Sequence, residues 1–165
     1  MTDKQEHSNE DGSARTTGNP PFPYLDEPTP QSFGIAHLLG MRIVRSQDGI
    51  GQVSIHVDER LMHPQQIVHG GVIFTLADTA MSMALLSVLP PRTPFGTIEA
   101  KINYLRPVQS GELLAEGKII HEGGSTAVIE ATIYNLNGDE RRAVAQTLGT
   151  FYIKRLKSGS QNGIK

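Results

Sequence analysis

Residues 63–89 read HPQQIVHGGVIFTLADTAMSMALLSVL, and this stretch decides the fold. From residue 72 onward most positions are apolar, in a run that ends at Pro90 and Pro91. A helix that is apolar on every side belongs in a protein interior or in a membrane. Because the run also carries Asp78 and several hydroxyl side chains, it is a poor membrane span. The pattern predicts a buried central helix of about 20 residues, roughly 30 Å long.

The start of this helix has the character of an anion-binding site. His69 is followed by Gly70 and Gly71, so two consecutive positions have no side chain. A ligand can therefore approach the unpaired N–H groups that every helix N-terminus offers. Those donors, at the positive end of the helix dipole, suit an oxygen atom that gains negative charge.

The middle of the same helix carries an acid. Asp78 lies in an apolar segment, where a carboxylate costs several kcal/mol unless it is paired or required for function. With Thr75 three residues before it and Ser82 four residues after it, Asp78 forms a narrow polar stripe. The stripe leads back to Gly71 at the start of the helix.

The spacing of Gly70 and Asp78 limits how the two can cooperate. They are eight residues apart, which is about 12 Å along a helix axis. One carbonyl group cannot contact both from the same helix. If they cooperate, they come from two copies of the chain, in a symmetric dimer with two shared sites.

The motif HGG followed by LADTA, with Asp78 nine positions after His69, resembles the PaaI-like acyl-CoA thioesterases of the hotdog fold. The resemblance covers roughly residues 33–155. It implies that Gly70 offers its N–H to the thioester carbonyl. It also implies that Asp78, from the other subunit, is the nucleophile or the general base. For this chain it implies a homodimer with shared active sites, with a dimer of dimers as a further possibility, and no metal or redox cofactor.

Asp78 and His69 also have structural interpretations. Asp78 could be a carboxylate that pairs at a dimer seam. His69 is interpreted as a neutral imidazole that orients the Gly70 amide, in preference to a direct acid or base. A serine hydrolase is unexpected because the sequence has no G-x-S-x-G motif. The histidines form no H-x-x-x-H or H-E-x-x-H pair, so no zinc site is expected.

His63 departs from the family pattern. Relatives usually carry Asn or Gln there, to hold the attacking water or the thioester, and they often carry Gly where Gln66 stands. An imidazole can donate through one ring nitrogen and accept through the other, so His63 could replace the amide. Gln65 could do so after a small shift of the loop, and His63 could instead be an exposed loop residue.

The candidate substrate-binding residues are more weakly indicated; they are Gly71, Thr75, Thr97, Gly123, Gly124 and Ser125. Some relatives carry a hydroxyl that helps to position water where Thr97 stands, although a threonine at a strand start needs no functional explanation. In relatives the turn that matches residues 123–125 lies near coenzyme A. Lys154, Arg155 and Lys157 could meet CoA phosphates, but a solvated tail is the favoured interpretation.

Composition excludes several other classes of protein. With 165 residues and no cysteine, the chain predicts one domain with tails and no disulfide or thiol nucleophile. A net charge of −2 gives no reason to expect nucleic acid as a partner. Residues 1–32 are acidic and proline-rich and predict a disordered arm with no signal peptide. The domain is assigned to residues 33–155 and a basic, flexible tail to 156–165, in a cytoplasmic protein with no membrane span.

Around the central helix, alternation of apolar and polar residues predicts strands and a short helix. The helix is predicted at 33–39 and the strands at 41–45, 52–57, 97–106, 112–122, 125–136 and 142–154. The Ser110–Gly111 pair is interpreted as the turn after the third strand, and the Asn137–Gly138 pair as a hairpin signal. One helix after two strands, followed by a meander, indicates an α+β fold with an antiparallel sheet curled around one buried helix.

The sequence therefore predicts an acyl-CoA thioesterase that yields a carboxylic acid and CoA. The acyl group is left open between aromatic and aliphatic. Two alternatives remain: an acyl-CoA-binding hotdog module without catalysis, and a hotdog hydratase. A ligand sensor would normally need an output domain, and residues 1–32 contain no helix-turn-helix pattern. A hydratase usually has a different arrangement of histidine and acid.

Overall fold

The structure is a computed structural model that describes residues 34–154. A sheet of antiparallel strands curves around one long helix. In chain order the elements are α1 (Gly34–Leu39), β1 (Arg42–Gln47), β2 (Ile50–His56), β3 (Met62–His63), β4 (Ile67–Val68), α2 (Gly70–Leu86), β5 (Phe95–Tyr104), β6 (Glu112–Glu122), β7 (Thr126–Asn137) and β8 (Glu140–Ile153). A single 3-10 turn, Glu59–Leu61, precedes β3. The predicted arm, residues 1–32, and the predicted tail, residues 156–165, both lie outside the described residues.

Local sequence explains the hairpins. Asp48 and Gly49 join β1 to β2 with φ of 55° and 74°, the two left-handed residues of the tight turn that matches strand twist. The β7–β8 hairpin turns at Gly138 and Asp139, next to the predicted Asn137–Gly138 signal. The predicted bounds of β6 agree with the structure residue for residue.

Helix α2 is shorter than predicted, with 17 residues, which is about 26 Å. It ends at Leu86, and the next residues form a looser turn before Pro90, because a proline disfavours helical backbone in the residue before it. The sheet covers most of the helix. Its uncovered face carries the predicted polar stripe of Thr75, Asp78 and Ser82, all of them partly exposed.

Two glycines let α2 approach the sheet closely. Gly51 in β2 and Gly117 in β6 are cross-strand partners, and Ala80 lies against both. A Cβ at residue 51 would lie 2.1 Å from the Ala80 carbonyl oxygen and 2.4 Å from the Ala84 nitrogen. These are backbone atoms of the helix and cannot rotate away. The pair of glycines therefore fixes the distance between helix and sheet.

The substitution Gly51→Ala is expected to lower the free energy of unfolding by about 1–3 kcal/mol, because the added methyl group must push α2 away from the sheet. Urea denaturation, read as the midpoint with the slope unchanged, measures the effect. Gly34→Ala is the matched control, since a Cβ there has no neighbour within 4 Å. Equal midpoints for the two variants would show that the helix can move at no cost.

The strand order corrects one expectation. The sheet runs β1-β2-β6-β7-β8-β5, so β5 pairs with β8 and not with β6, which follows it in the chain. The predicted Ser110–Gly111 turn therefore belongs to a crossover and closes no hairpin. The two short strands β3 and β4, which form a separate hairpin before α2, were not predicted.

A β-bulge interrupts the alternation of residues along β5. The pairing with β8 shifts between Thr97 and Glu99, so the two ends of β5 do not keep one alternation. As a result Thr97 shares the inner face with Ala100 and Ile102. Ile98, which simple alternation places on that face, is 57% exposed.

Strand β5 forms one edge of the sheet. Its outer backbone groups have no neighbouring strand within residues 34–154, and Ile98 and Tyr104 expose large apolar surface beside them. Long unpaired edges of this kind are templates for pairing with another chain.

None of the helices within residues 34–154 has both the length and the hydropathy to cross a membrane.

Candidate active site

His69 caps the start of α2 and leaves one N–H group available. Its backbone is extended, and its Nδ1 atom accepts a hydrogen bond of 2.9 Å from the Gly71 N–H. The imidazole therefore hydrogen-bonds the Gly71 N–H and not the Gly70 N–H, which it was expected to orient. Among residues 34–154 the Gly70 N–H has no acceptor. The helix start thus presents Gly70 as a donor at the positive end of the dipole.

His63 lies close to this helix start. It ends the short strand β3, and its ring centroid is 6.0 Å from that of His69. Its Nδ1 atom accepts from the Gln65 N–H at 3.2 Å, so the side chain also stabilises the turn that leads to β4. Gln66 in the same turn has a φ of 60°, the left-handed conformation that glycine adopts most easily.

Asp78 has a partner that the helix does not supply. The Thr97 hydroxyl, from the start of β5, donates to its Oδ1 at 2.7 Å. The bulge in β5 makes this contact possible, because it turns Thr97 toward the helix. The Thr75 hydroxyl donates instead to the Gly71 carbonyl one turn back. The carboxylate is partly exposed and held in one orientation.

The candidate residues gather at two separate places. Gly70, His69 and His63 lie beside the end of β5, where the Tyr104 hydroxyl donates to the Gly70 carbonyl at 2.8 Å. Asp78 lies beside the start of β5, where it accepts from Thr97. Within one chain the two groups remain apart, in agreement with their spacing of eight residues along α2.

The predicted turn at residues 123–125 lies at the same end of the sheet as Thr97. The Ser125 carbonyl accepts the N–H of Ile153, and Ile153 pairs with Phe95 at the start of β5. The turn is therefore on the Asp78 side of the chain and away from its own Gly70. Lys154, the last described residue, follows Ile153 at this end, while Arg155 and Lys157 lie outside the described residues.

An apolar groove of about 290 Å³ adjoins Gly70. Its lining includes Gly70 itself and, among other residues, Ile67, Ile73, Tyr104, Leu105 and Val108. A larger cavity of about 440 Å³ lies on the outer face of the sheet, around Lys101, Glu130 and Leu148. The smaller groove is the better candidate for a substrate, because only it borders the available N–H donor.

Tyr104 was not among the predicted site residues. The alternation of β5 already put it on the face of Ala100 and Ile102, which points toward the helix, but nothing local indicated a contact with Gly70. Desolvation raises the pKa of the Tyr104 hydroxyl above its ordinary value of 10.0, so it remains protonated and able to donate at neutral pH.

Comparison with known proteins identifies the family. The family model for the thioesterase superfamily matches residues 65–142. The chain is 36% identical to the 1,4-dihydroxy-2-naphthoyl-CoA hydrolase of Listeria monocytogenes, over 61% of this chain and 81% of that protein. It is 33% identical to the proofreading thioesterase EntH of Klebsiella pneumoniae, over 70% of this chain and 82% of that protein.

A solved structure agrees with these relatives. The PaaI protein from the phenylacetic acid degradation operon of Escherichia coli matches with a TM-score of 0.66 at 28% identity. The match covers 73% of this chain and 83% of that one. The resemblance carried by the HGG and LADTA motifs is confirmed, and the chain belongs to the thioesterase superfamily, with the hotdog fold of its PaaI-like members.

Proposed function

We propose that this protein is an acyl-CoA thioesterase, which hydrolyses a thioester to a carboxylic acid and CoA. The observation that carries the proposal is that one helix presents both an available N–H donor, at Gly70, and an oriented carboxylate, at Asp78. Relatives whose names specify hydrolysis of CoA thioesters support the substrate class. The apolar groove beside Gly70 is suited to the acyl group, whether aromatic or aliphatic.

The Gly70 N–H polarises the thioester carbonyl. As the carbonyl carbon becomes tetrahedral, its oxygen gains negative charge, and a donor already in place stabilises that charge more than it stabilises the substrate. The positive end of the α2 dipole adds to this effect. His69 acts indirectly, because its ring accepts a hydrogen bond from the Gly71 N–H and fixes the turn in which Gly70 lies.

Asp78 supplies the attacking oxygen, directly or through water. As a nucleophile it would form an anhydride with the acyl group and release the CoA thiolate, and water would then hydrolyse the anhydride. As a general base it would take a proton from a water molecule that attacks the carbonyl carbon. In both routes the C–S bond breaks and the thiolate takes up a proton. The Thr97 hydroxyl keeps the carboxylate in position.

Each site combines groups from two chains. If two β5 edges pair antiparallel about a twofold axis near the middle of the strand, the start of one β5 lies beside the end of the other. Asp78 is at the start of β5 and Gly70 at its end. This pairing therefore brings Asp78 of one chain toward Gly70 of its partner, twice per dimer. The turn at residues 123–125 comes to the same site as Asp78, where its bare backbone suits contact with CoA.

Substitutions of His63 test the proposed site without changing Gly70 or Asp78. We expect His63→Asn to keep substantial activity and His63→Ala to lose it. Asparagine can accept from an N–H group two residues later, as His63 does from Gln65, and its amide can still hold water or the thioester. Turnover of both variants under saturating substrate is the measurement. Equal activity of the wild type and His63→Ala would exclude a role for this side chain.

The proposed activity is tested by thiol release. The purified protein is incubated with phenylacetyl-CoA, with CoA thioesters of medium and long saturated acids, and with an enoyl-CoA, and free CoA is detected with a thiol reagent. Release from at least one of them, above the uncatalysed rate, is expected. Binding of acyl-CoA with no release from any of them would favour a binding module. Loss of an enoyl-CoA without thiol release would favour a hydratase.

A further inference from the structure

The backbone of Gly70 is intrinsically flexible, but hydrogen bonds hold both of the peptides that flank it. Glycine has the widest range of backbone conformations, so an N–H donor on glycine is poorly directed unless both flanking peptide planes are held. The peptide before Gly70 is held through the His69 carbonyl, which accepts from the N–H groups of Val72 at 2.9 Å and Ile73 at 3.4 Å. The peptide after it is held at its nitrogen end, where the Gly71 N–H donates to the His69 ring.

The carbonyl end of that second peptide is also held from outside the helix. The Tyr104 hydroxyl donates to the Gly70 carbonyl at 2.8 Å across 34 residues of sequence. Of the hydrogen bonds named here for these two peptides, this one joins residues distant in sequence. The others join residues within one helical turn. The Tyr104 bond links the donor to the end of β5.

The Tyr104 ring also covers the Cα atom of Gly70. A Cβ at residue 70 would lie 3.1 Å from both the Cζ and the Oη atoms of Tyr104, closer than ordinary contact. Any larger residue at position 70 must therefore displace the tyrosine and weaken its hydrogen bond. The absence of a side chain at Gly70 and the position of the Tyr104 hydroxyl depend on each other.

We propose that Tyr104 is a positioning residue that fixes the direction of the Gly70 N–H through its bond to the Gly70 carbonyl. The inference rests on the proposed thioesterase function. Without the bond, Gly70 keeps its place at the helix start but its two backbone torsions become looser. The N–H then spends less time directed at the carbonyl oxygen of the substrate, and geometry of this kind is costly to lose.

The first test is Tyr104→Phe, which keeps the ring and removes only the hydroxyl. We expect kcat to fall on the order of tenfold and KM to stay nearly unchanged, because the donor acts mainly on charge that develops in the transition state. Tyr152→Phe is the matched control: that tyrosine is also half-exposed, and it lies on β8 away from Gly70. A wild-type kcat in Tyr104→Phe, or an effect on KM alone, would overturn the proposal.

A double-mutant cycle tests whether Tyr104 acts through Gly70. Gly70→Ala should displace the wild-type hydroxyl, but it should cost less in the Tyr104→Phe background, where the hydrogen bond that the new methyl group would disturb is already absent. The fold loss of kcat in the double variant should therefore be smaller than the product of the losses in the two single variants. Losses that multiply would show that Tyr104 acts independently of Gly70, and would overturn the proposal.

A readout without substrate separates this inference from the proposed function. Amide hydrogen exchange, followed by NMR, should be on the order of tenfold faster at Gly71 in Tyr104→Phe than in the wild type, because the peptide that carries this N–H has lost the hydrogen bond to its carbonyl from outside the helix. Tyr152→Phe should leave that rate unchanged. If the wild type releases no thiol, the proposed function fails while this measurement still decides the positioning role. Unchanged exchange at Gly71 would overturn it.

Discussion

Asp78→Asn is expected to lower kcat on the order of 10² to 10⁴ while the protein stays folded and keeps its oligomeric state. The amide has nearly the shape of the carboxylate and can still accept the hydrogen bond that Thr97 donates to Oδ1. It cannot attack a carbonyl carbon or take a proton from water at neutral pH. Steady-state release of CoA measures the loss, and circular dichroism and mass measurements check the fold and the assembly.

The control for this substitution is Asp139→Asn, the same chemical change at the exposed turn between β7 and β8. It should keep the wild-type kcat. If Asp78→Asn retains more than about a tenth of wild-type turnover, Asp78 is neither nucleophile nor base. An altered assembly with turnover preserved would indicate that this carboxylate serves the dimer seam.

Mixing two inactive variants is expected to restore activity. One variant is Asp78→Asn, and the second is Gly70→Pro, which removes the proposed donor and should cost roughly 10² to 10³ in rate. In a heterodimer with shared sites, one site receives both lesions and the other receives neither. Co-refolding equal amounts gives about half heterodimers, each with one intact site, so activity should return to about a quarter of wild type per chain.

The structure bears on whether Gly70→Pro can fold. Gly70 is the first residue of α2, where a missing N–H costs no helical hydrogen bond. His69 has φ of −61° and ψ of 133°, the extended conformation that a residue before proline prefers. The proline Cβ must displace the end of the Tyr104 side chain by a few tenths of an ångström, which a half-exposed side chain allows. Native mass and thermal unfolding of this variant are therefore measured first.

A mirror experiment uses both lesions on one chain. The double variant is mixed with an equal amount of wild type and co-refolded. With shared sites every heterodimer is inactive, and activity per chain is about a quarter of the pure wild type. With sites built from one chain each heterodimer keeps one active site, and activity is about half. A value of one half here, together with no recovery in the first mixture, would exclude the shared site.

The local sequence was sufficient to predict most of the elements and to single out Gly70 and Asp78 as the proposed catalytic pair. The apolar run that begins after Gly71 determined α2, and alternation of apolar and polar residues determined the strands, since both patterns depend only on neighbours along the chain. The eight-residue spacing of Gly70 and Asp78 on one helix needed only the rise per residue of an α-helix. The HGG and LADTA motifs then indicated the family.

The partners of those two residues were decided by tertiary structure. Thr97 reaches Asp78 because of a bulge in β5, and Tyr104 reaches Gly70 because β5 crosses to pair with β8. A bulge changes the face of a strand by one extra residue, which an alternation pattern does not reveal. Strand order is set by contacts between residues distant in sequence, and periodicity carries no information about them. The sequence therefore indicated which groups are proposed to do the chemistry, and the curled sheet decided what holds each of them in place.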